Sequence, residues 1–156
     1  MHALSSVEKS DHIVRYYTAW EEDSHIYICN ELMDFNANVF KRKFTEATHR
    51  QYLTEKLLLE ILRQCLEGLR DLHEHDPPMA HLDVKPDNIF FRFTHDSRIP
   101  RDENSNVDDD LVDKLLAGLV DKRQSEVEKV GVFKLGDLGL AVRADRTKEA
   151  SEGDAK

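Results

Sequence analysis

Two runs near the N-terminus, His12 to Trp20 and His25 to Leu32, are rich in β-branched and aromatic residues and flank the acidic stretch Glu21-Glu22-Asp23-Ser24. Such runs around a polar turn predict a β-hairpin. From Leu53 to His75 the period changes. Leu57, Leu58, Ile61, Leu62, Cys65, Leu66, Leu69 and Leu72 recur at the spacing of one helical face, so a long amphipathic helix is predicted there. Asp76-Pro77-Pro78 forbids its continuation, because the residue before a proline avoids helical backbone and proline lacks the amide donor. Ile89-Phe90-Phe91 and the alternating Val132 to Leu135 predict short strands, giving an α+β chain.

Thr94 to Val130 is acidic. Asp96 to Asp110 within it is polar and predicts disorder. Behind Asp108-Asp109-Asp110, however, Leu111, Val112, Leu115, Leu116, Leu119 and Val120 recur with helical spacing, and Lys122 and Arg123 follow. That pattern predicts a short amphipathic helix with charges suited to its dipole. Packing on its own domain and docking to a partner both fit such a helix. Ala144 to Lys156 is charged and aperiodic, and is expected to be mobile.

With 31 acidic against 22 basic residues the net charge is -9, which disfavours non-specific binding to nucleic acid or anionic membrane, so neither is expected as a partner. No apolar run approaches the roughly 18 residues of a membrane span, and Met1 to Asp11 lacks a signal-peptide core. A soluble intracellular chain is expected. Cys29 and Cys65 sit in apolar patterns without metal-ligand spacing, which predicts buried, reduced thiols.

The chemistry is concentrated in His81-Leu82-Asp83-Val84-Lys85-Pro86-Asp87-Asn88. An acid, a cation and an amide at these offsets match the phosphoryl-transfer signature H-R-D-L-x-x-x-N, with Leu82 in place of Arg. Asp83 would take the proton of an attacking hydroxyl, Asn88 would hold Mg2+, and Lys85 would neutralise charge on the phosphoryl group in flight. Farther along, Gly136-Asp137-Leu138-Gly139 follows an alternating stretch and reads as Asp-Phe-Gly with Leu138 for Phe. The Asp137 carboxylate would bind Mg2+ bridging nucleotide phosphates.

Together these residues resemble the eukaryotic protein kinase family and, within it, the Wee-type cell-cycle kinases. That resemblance rests on Leu82, on Leu138, on the Arg15 to Trp20 strand, on Asn30 at the gatekeeper position before a hinge at Glu31-Leu32-Met33, and on the acidic insertion. It implies an ATP- and Mg2+-dependent transferase of the nucleus or cytoplasm whose protein substrate is a cyclin-dependent kinase, restraining mitotic entry. Site residues follow by the same resemblance. Asp83 and Lys85 are catalytic; Asn88 and Asp137 ligate the metal; Glu31 and Met33 offer backbone groups to adenine, their side chains mattering less. Asn30 hydrogen-bonds near the adenine pocket, and His81 packs beneath the loop. Kinases of the alpha subunit of translation initiation factor 2 are also similar, through the Arg15 to Trp20 strand and the Asn88 to Phe91 run, but keep the Arg and Phe that Leu82 and Leu138 replace. Lys85 does not decide between Ser/Thr and Tyr acceptors.

The resemblance divides the chain into an N-lobe remnant at 1–33, the hinge, long helix and catalytic loop at 34–93, the acidic insertion at 94–130, and the Asp-Leu-Gly strand with the start of an activation segment at 131–156. This is a partial protein-kinase-like fold, since such domains run to about 250 residues. Neither Gly-x-Gly-x-x-Gly nor Val-Ala-x-Lys occurs in the 156 residues. The 156 residues alone are therefore expected to turn over little or nothing, a non-catalytic binding fragment being the alternative, and the long helix is expected to leave a stripe of Leu and Ile exposed.

Overall fold

The computed structural model describes residues 10–94, 109–120 and 124–143. Of the disorder expected from Asp96 to Asp110, residues 96–108 lie outside them, as does the tail from residue 144, whereas Asp109 and Asp110 are helical. The α+β architecture is the one expected, and the predicted hairpin forms: β1 (Tyr16–Glu22) pairs antiparallel with β2 (His25–Asn30). Asp23 and Ser24 make its turn with φ of 49° and 60°. Two successive left-handed residues match the strands' right-handed twist, and short polar side chains tolerate that backbone. No described element covers either face of β2, so its residues are exposed. Cys29 is among them, which corrects the expectation of a buried thiol; Cys65 is buried. Burial pushes the Cys65 thiol up to about 11, so it stays protonated at neutral pH.

A second sheet has the order β3-β5-β6, from β3 (Phe35–Asn36), β5 (Ile89–Phe93) and β6 (Gly131–Leu135), all antiparallel. The segment before β1 is stitched to the edge of this sheet, where Val14 donates to the Leu135 carbonyl at 2.7 Å and Leu135 to that of His12 at 2.9 Å. Between β3 and the long helix lies a helix that periodicity did not reveal, α1 (Ala37–Thr48). The Asn36 side chain caps it by accepting from the Val39 amide at 3.0 Å. Its only fully buried residues are Phe40 and Phe44, which enter an aromatic cluster: ring centroids lie 4.7 Å apart for Phe40 and Phe91, 5.0 Å for Phe40 and Phe133, and 4.8 Å for Phe91 and Phe133.

The predicted long helix is α2 (Glu55–His73), capped by Thr54, which accepts from the Leu57 amide. Its apolar positions divide between two surroundings. Leu57, Cys65 and Leu72 are buried, while Leu58, Leu62 and Leu66 are 51%, 54% and 54% exposed. The buried face carries polar Glu60 and Gln64 instead. Each is satisfied: Gln64 accepts the Phe133 amide at 2.6 Å and donates to Glu60 at 2.5 Å, and Arg63 donates to Glu60 at 2.6 Å. A buried carboxylate without such partners would cost several kcal/mol. Gly68 permits the approach of the His12 carbonyl, which would lie 2.6 Å from any Cβ there. The exposed leucines form the expected apolar stripe, a feature that promotes self-association. Replacing Leu62 and Leu66 together by Glu should raise the concentration at which the chain self-associates in sedimentation, with stability changed by less than about 0.5 kcal/mol, as for surface sites.

Within the insertion, the amphipathic stretch forms α3 (Asp109–Ala117) and is followed by a second helix, α4 (Gln124–Val130), that was not anticipated. Of the two uses open to α3, packing on its own domain is the one observed. Val112, Leu116 and Leu119 join Phe40, Phe44 and Leu57 in one core. α4 runs straight into β6, Arg63 of α2 meets Glu128, and the Thr94 amide donates to the Val130 carbonyl at 3.0 Å, closing the insertion as an extension of the β5-β6 hairpin. No helix of the described residues is long and apolar enough to cross a membrane.

Candidate active site

The loop that follows β4 (Met79–Ala80) carries the acid, cation and amide, and it ends in a 3-10 turn at Pro86–Asn88. There the Asn88 amide donates to the Lys85 carbonyl at 2.9 Å, a closure that brings Asn88 back against Asp83. One Asp83 carboxylate oxygen accepts from Lys85 Nζ at 2.7 Å and from Asn88 Nδ2 at 2.8 Å, and Asn88 Nδ2 also donates to the Asp83 carbonyl at 2.9 Å. The Lys85 hydrogen bond, opposed by desolvation and helped by the Asn88 hydrogen bond, holds the Asp83 carboxyl below the usual carboxylate range. The same pair raises Lys85. At neutral pH the loop therefore presents a carboxylate beside an ammonium.

His81 is buried, with Nε2 3.1 Å from the Gly136 carbonyl. A carbonyl only accepts, so Nε2 carries the proton and Nδ1 is left to accept from the Asp83 amide, 3.4 Å away. Gly136 in turn donates to the Asn88 carbonyl at 2.9 Å. Hydrogen bonds through Gly136 thus join the loop to Asp137. Asp137 is exposed, has φ of 56°, and accepts from the Gly139 amide at 3.3 Å.

The oxygens of Asn88 and Asp137 suit a hard cation. With Nδ2 committed to Asp83, Asn88 has Oδ1 to offer, and Asp137 supplies a carboxylate. No group of three His, Cys, Asp or Glu residues able to hold a metal occurs among the described residues. That donor set fits Mg2+, which takes one or two protein oxygens and completes its shell with phosphates and water.

Asn30, Glu31, Met33 and Asp137 line one cavity of about 520 Å3, with Val14, Val39 and Phe90 as apolar walls. A second cavity of about 240 Å3 lies between the hairpin and the Asp137 turn, lined by Tyr16, Ile26, Ile28 and Leu138. Asn30 and Asp137 border both. The first volume suits a nucleotide-sized ligand.

The Glu31 side chain departs from expectation. It is buried, and its carboxylate accepts from Lys134 Nζ at 2.9 and 3.1 Å, from Arg92 at 2.5 Å and from the Arg15 amide at 3.1 Å. Arg92 and Lys134 interrupt otherwise apolar strands, the one signal in the sequence that a buried anion faces them. Burial pushes the Glu31 carboxyl up, but the Lys134 hydrogen bond, the Arg15 amide, the Lys134 charge and Arg92 outweigh it and leave the group below its usual value. A depressed carboxyl contributes stability above its unfolded value of about 4.3 and loses that contribution as pH falls through the lower folded value. The stability gap between the chain and Glu31→Gln should therefore be constant above about pH 5 and shrink below pH 4 in acid titrations of denaturant midpoint.

Leu82, where the signature has Arg, has φ of 62° and is 67% exposed. The left-handed region costs a branched-chain L-residue roughly 1–2 kcal/mol. Leu82→Gly should relieve that cost, less the greater freedom glycine has in the unfolded chain, and raise stability by up to about 1 kcal/mol in chemical denaturation. A lowered stability would count against the strained backbone.

Residues 1–154 match the protein kinase domain family, and the chain belongs to it. Within that family its likeness is to Wee1-like kinases. It is 33% identical over 150 residues to the Wee1-like protein kinase of Drosophila melanogaster, covering 95% of this chain and 22% of that protein. The Wee1-like protein kinase of Arabidopsis thaliana is 30% identical over 154 residues (99% of this chain, 22% of that protein), and Wee1-like protein kinase 1-A of Xenopus laevis is 31% identical over 158 residues (100% and 24%). The chain spans less than a quarter of the length of these relatives.

Proposed function

We propose that this domain holds Mg-ATP between the Glu31 to Met33 segment and the Asp137 turn and transfers its terminal phosphoryl group to a protein hydroxyl. The observation that carries this reading is the joining of Asp83 to Asn88 at 2.8 Å and of both, through Gly136, to Asp137. Asp83 orients the acceptor hydroxyl and takes its proton, and Lys85 stabilises charge on the transferring group. Asn88 and Asp137 would hold Mg2+, which when bound neutralises charge on the phosphate oxygens. Backbone groups of Glu31 and Met33 face adenine, with Asn30 beside it.

Leu82 cannot pair with a phosphate, as an Arg there would, so activity should not require a phosphorylated activation segment. The substrate we propose is the glycine-rich loop of a cyclin-dependent kinase, acted on in the nucleus or cytoplasm. Its support is the combination of Leu82, Leu138 and Asn30 together with the likeness to Wee1-like kinases. The test is transfer of labelled γ-phosphate, by the protein that carries this domain, to peptides of such a loop bearing Tyr, Thr or Ser. Label on one of them, retained when Thr147 and Ser151 are replaced by Ala, supports the proposal. Bound ATP with no label on any acceptor would contradict it.

A further inference from the structure

We propose that the Glu31 carboxylate is a positioning group that couples the nucleotide-binding segment to the paired strands β5 and β6, which adjoin the metal ligands Asn88 and Asp137, so that Mg2+ and nucleotide reinforce each other's binding through it. The inference rests on the Mg-ATP reading of the site and extends it to how the two ends of the nucleotide are kept in register.

Glu31 directly follows β2 and lines the larger cavity together with Met33. Its side chain points away from solvent, 7% exposed, onto cations from two different strands. Arg92 stands four residues after Asn88 on β5, and Lys134 stands three residues before Asp137 on β6. Those strands are paired to one another, with Phe90 opposite Lys134 and Arg92 opposite Val132. Two cations two rungs apart on one face of an otherwise apolar ladder repel each other, and the Glu31 carboxylate accepts from both. The Arg15 amide adds a third donor from the segment leading into β1. One carboxylate is therefore bonded to the strand that follows Asn88, to the strand that precedes Asp137, and to the start of the β1-β2 hairpin.

Stability does not account for this arrangement by itself, since a buried ion cluster is often matched by apolar residues of similar volume. Geometry does account for it. Any slide of the Glu31 to Met33 segment relative to Asn88 and Asp137 must break charge-assisted hydrogen bonds of 2.5 to 3.1 Å, the strongest type available to side chains. Adenine seated at one end then places phosphates at a fixed distance from the metal oxygens at the other. A coupling of this kind is reciprocal: whatever Mg2+ adds to nucleotide affinity, nucleotide adds to Mg2+ affinity.

The test is calorimetric titration of the 156-residue chain with ADP and with adenosine, each with and without Mg2+. For the unaltered chain, Mg2+ should tighten ADP binding about five-fold or more and leave adenosine unaffected. Lys134→Met should bind adenosine as before and lose most of the Mg2+ enhancement for ADP, and Arg92→Lys, which keeps a cation, should retain it. Arg92→Met, at a half-exposed position, gives the same reading should Lys134→Met fail to fold. An Mg2+ enhancement that survives unchanged in both methionine variants overturns the coupling and leaves the nucleotide site standing. Loss of adenosine and ADP affinity in equal proportion overturns it in favour of a purely structural cluster. Failure of the unaltered chain to bind ADP overturns both readings.

Discussion

Replacing Asp83 by Asn should lower kcat for phosphoryl transfer by the protein that carries this domain about 10²- to 10⁴-fold, the range for loss of a general base. Asn is nearly isosteric, and its amide oxygen can still accept from both Lys85 and Asn88, but it carries no charge and cannot take a proton. In the proposed role Asp83 takes the proton only as the phosphoryl group moves, so the loss should belong to the transition state. kcat and kcat/KM should fall together, with KM for ATP far less affected. Steady-state kinetics with ATP varied at saturating acceptor separate the two. A variant that lost affinity and kept kcat would make Asp83 a structural member of the loop.

The largest loss of stability should come from Phe133→Ala. Phe133 is fully buried on β6, packs on Phe40 and Phe91, and lies in the strand that leads to Asp137. Removing a buried ring of this kind costs about 3–5 kcal/mol, transfer and cavity terms together. Against the 5–15 kcal/mol typical of a whole domain, such a change should broaden or abolish the cooperative thermal transition. Gly131→Ala probes the same cluster from the other side: its Cβ would lie 2.1 Å from Phe91 Cζ, so the core must shift, at about 1–3 kcal/mol. A Phe133→Ala protein that melts within about 1 kcal/mol of the original would mean that the aromatic cluster does not hold the fold together.

What was legible in the sequence was local. The hairpin declared itself through its composition and acidic turn, α2 through its periodicity and the prolines after it, and the candidate site was proposed from Asp83, Asn88 and Asp137 in order along the chain. α1 was hidden because two phenylalanines four residues apart among charges make too thin a stripe to register, although in the fold they anchor the largest cluster. The outward face of α2 was read as one with the inward face, since periodicity counts apolar positions without saying what lies opposite. Glu60 and Gln64 took inward places because the Phe133 amide and Arg63 satisfy them there. Glu31 was read through its backbone alone. Its partners lie 61 and 103 residues away, and only the pairing of β5 with β6 brings them together.

The proposed Mg-ATP site stands on Asn88 and Asp137 held in register with the segment around Glu31. Titration of the chain with ATP across a range of Mg2+ concentrations tests it most directly, alongside Asp137→Asn. Affinity should rise with Mg2+ in the unaltered chain and show a flat Mg2+ dependence in the variant. ATP affinity that responds to Mg2+ equally in both would contradict it.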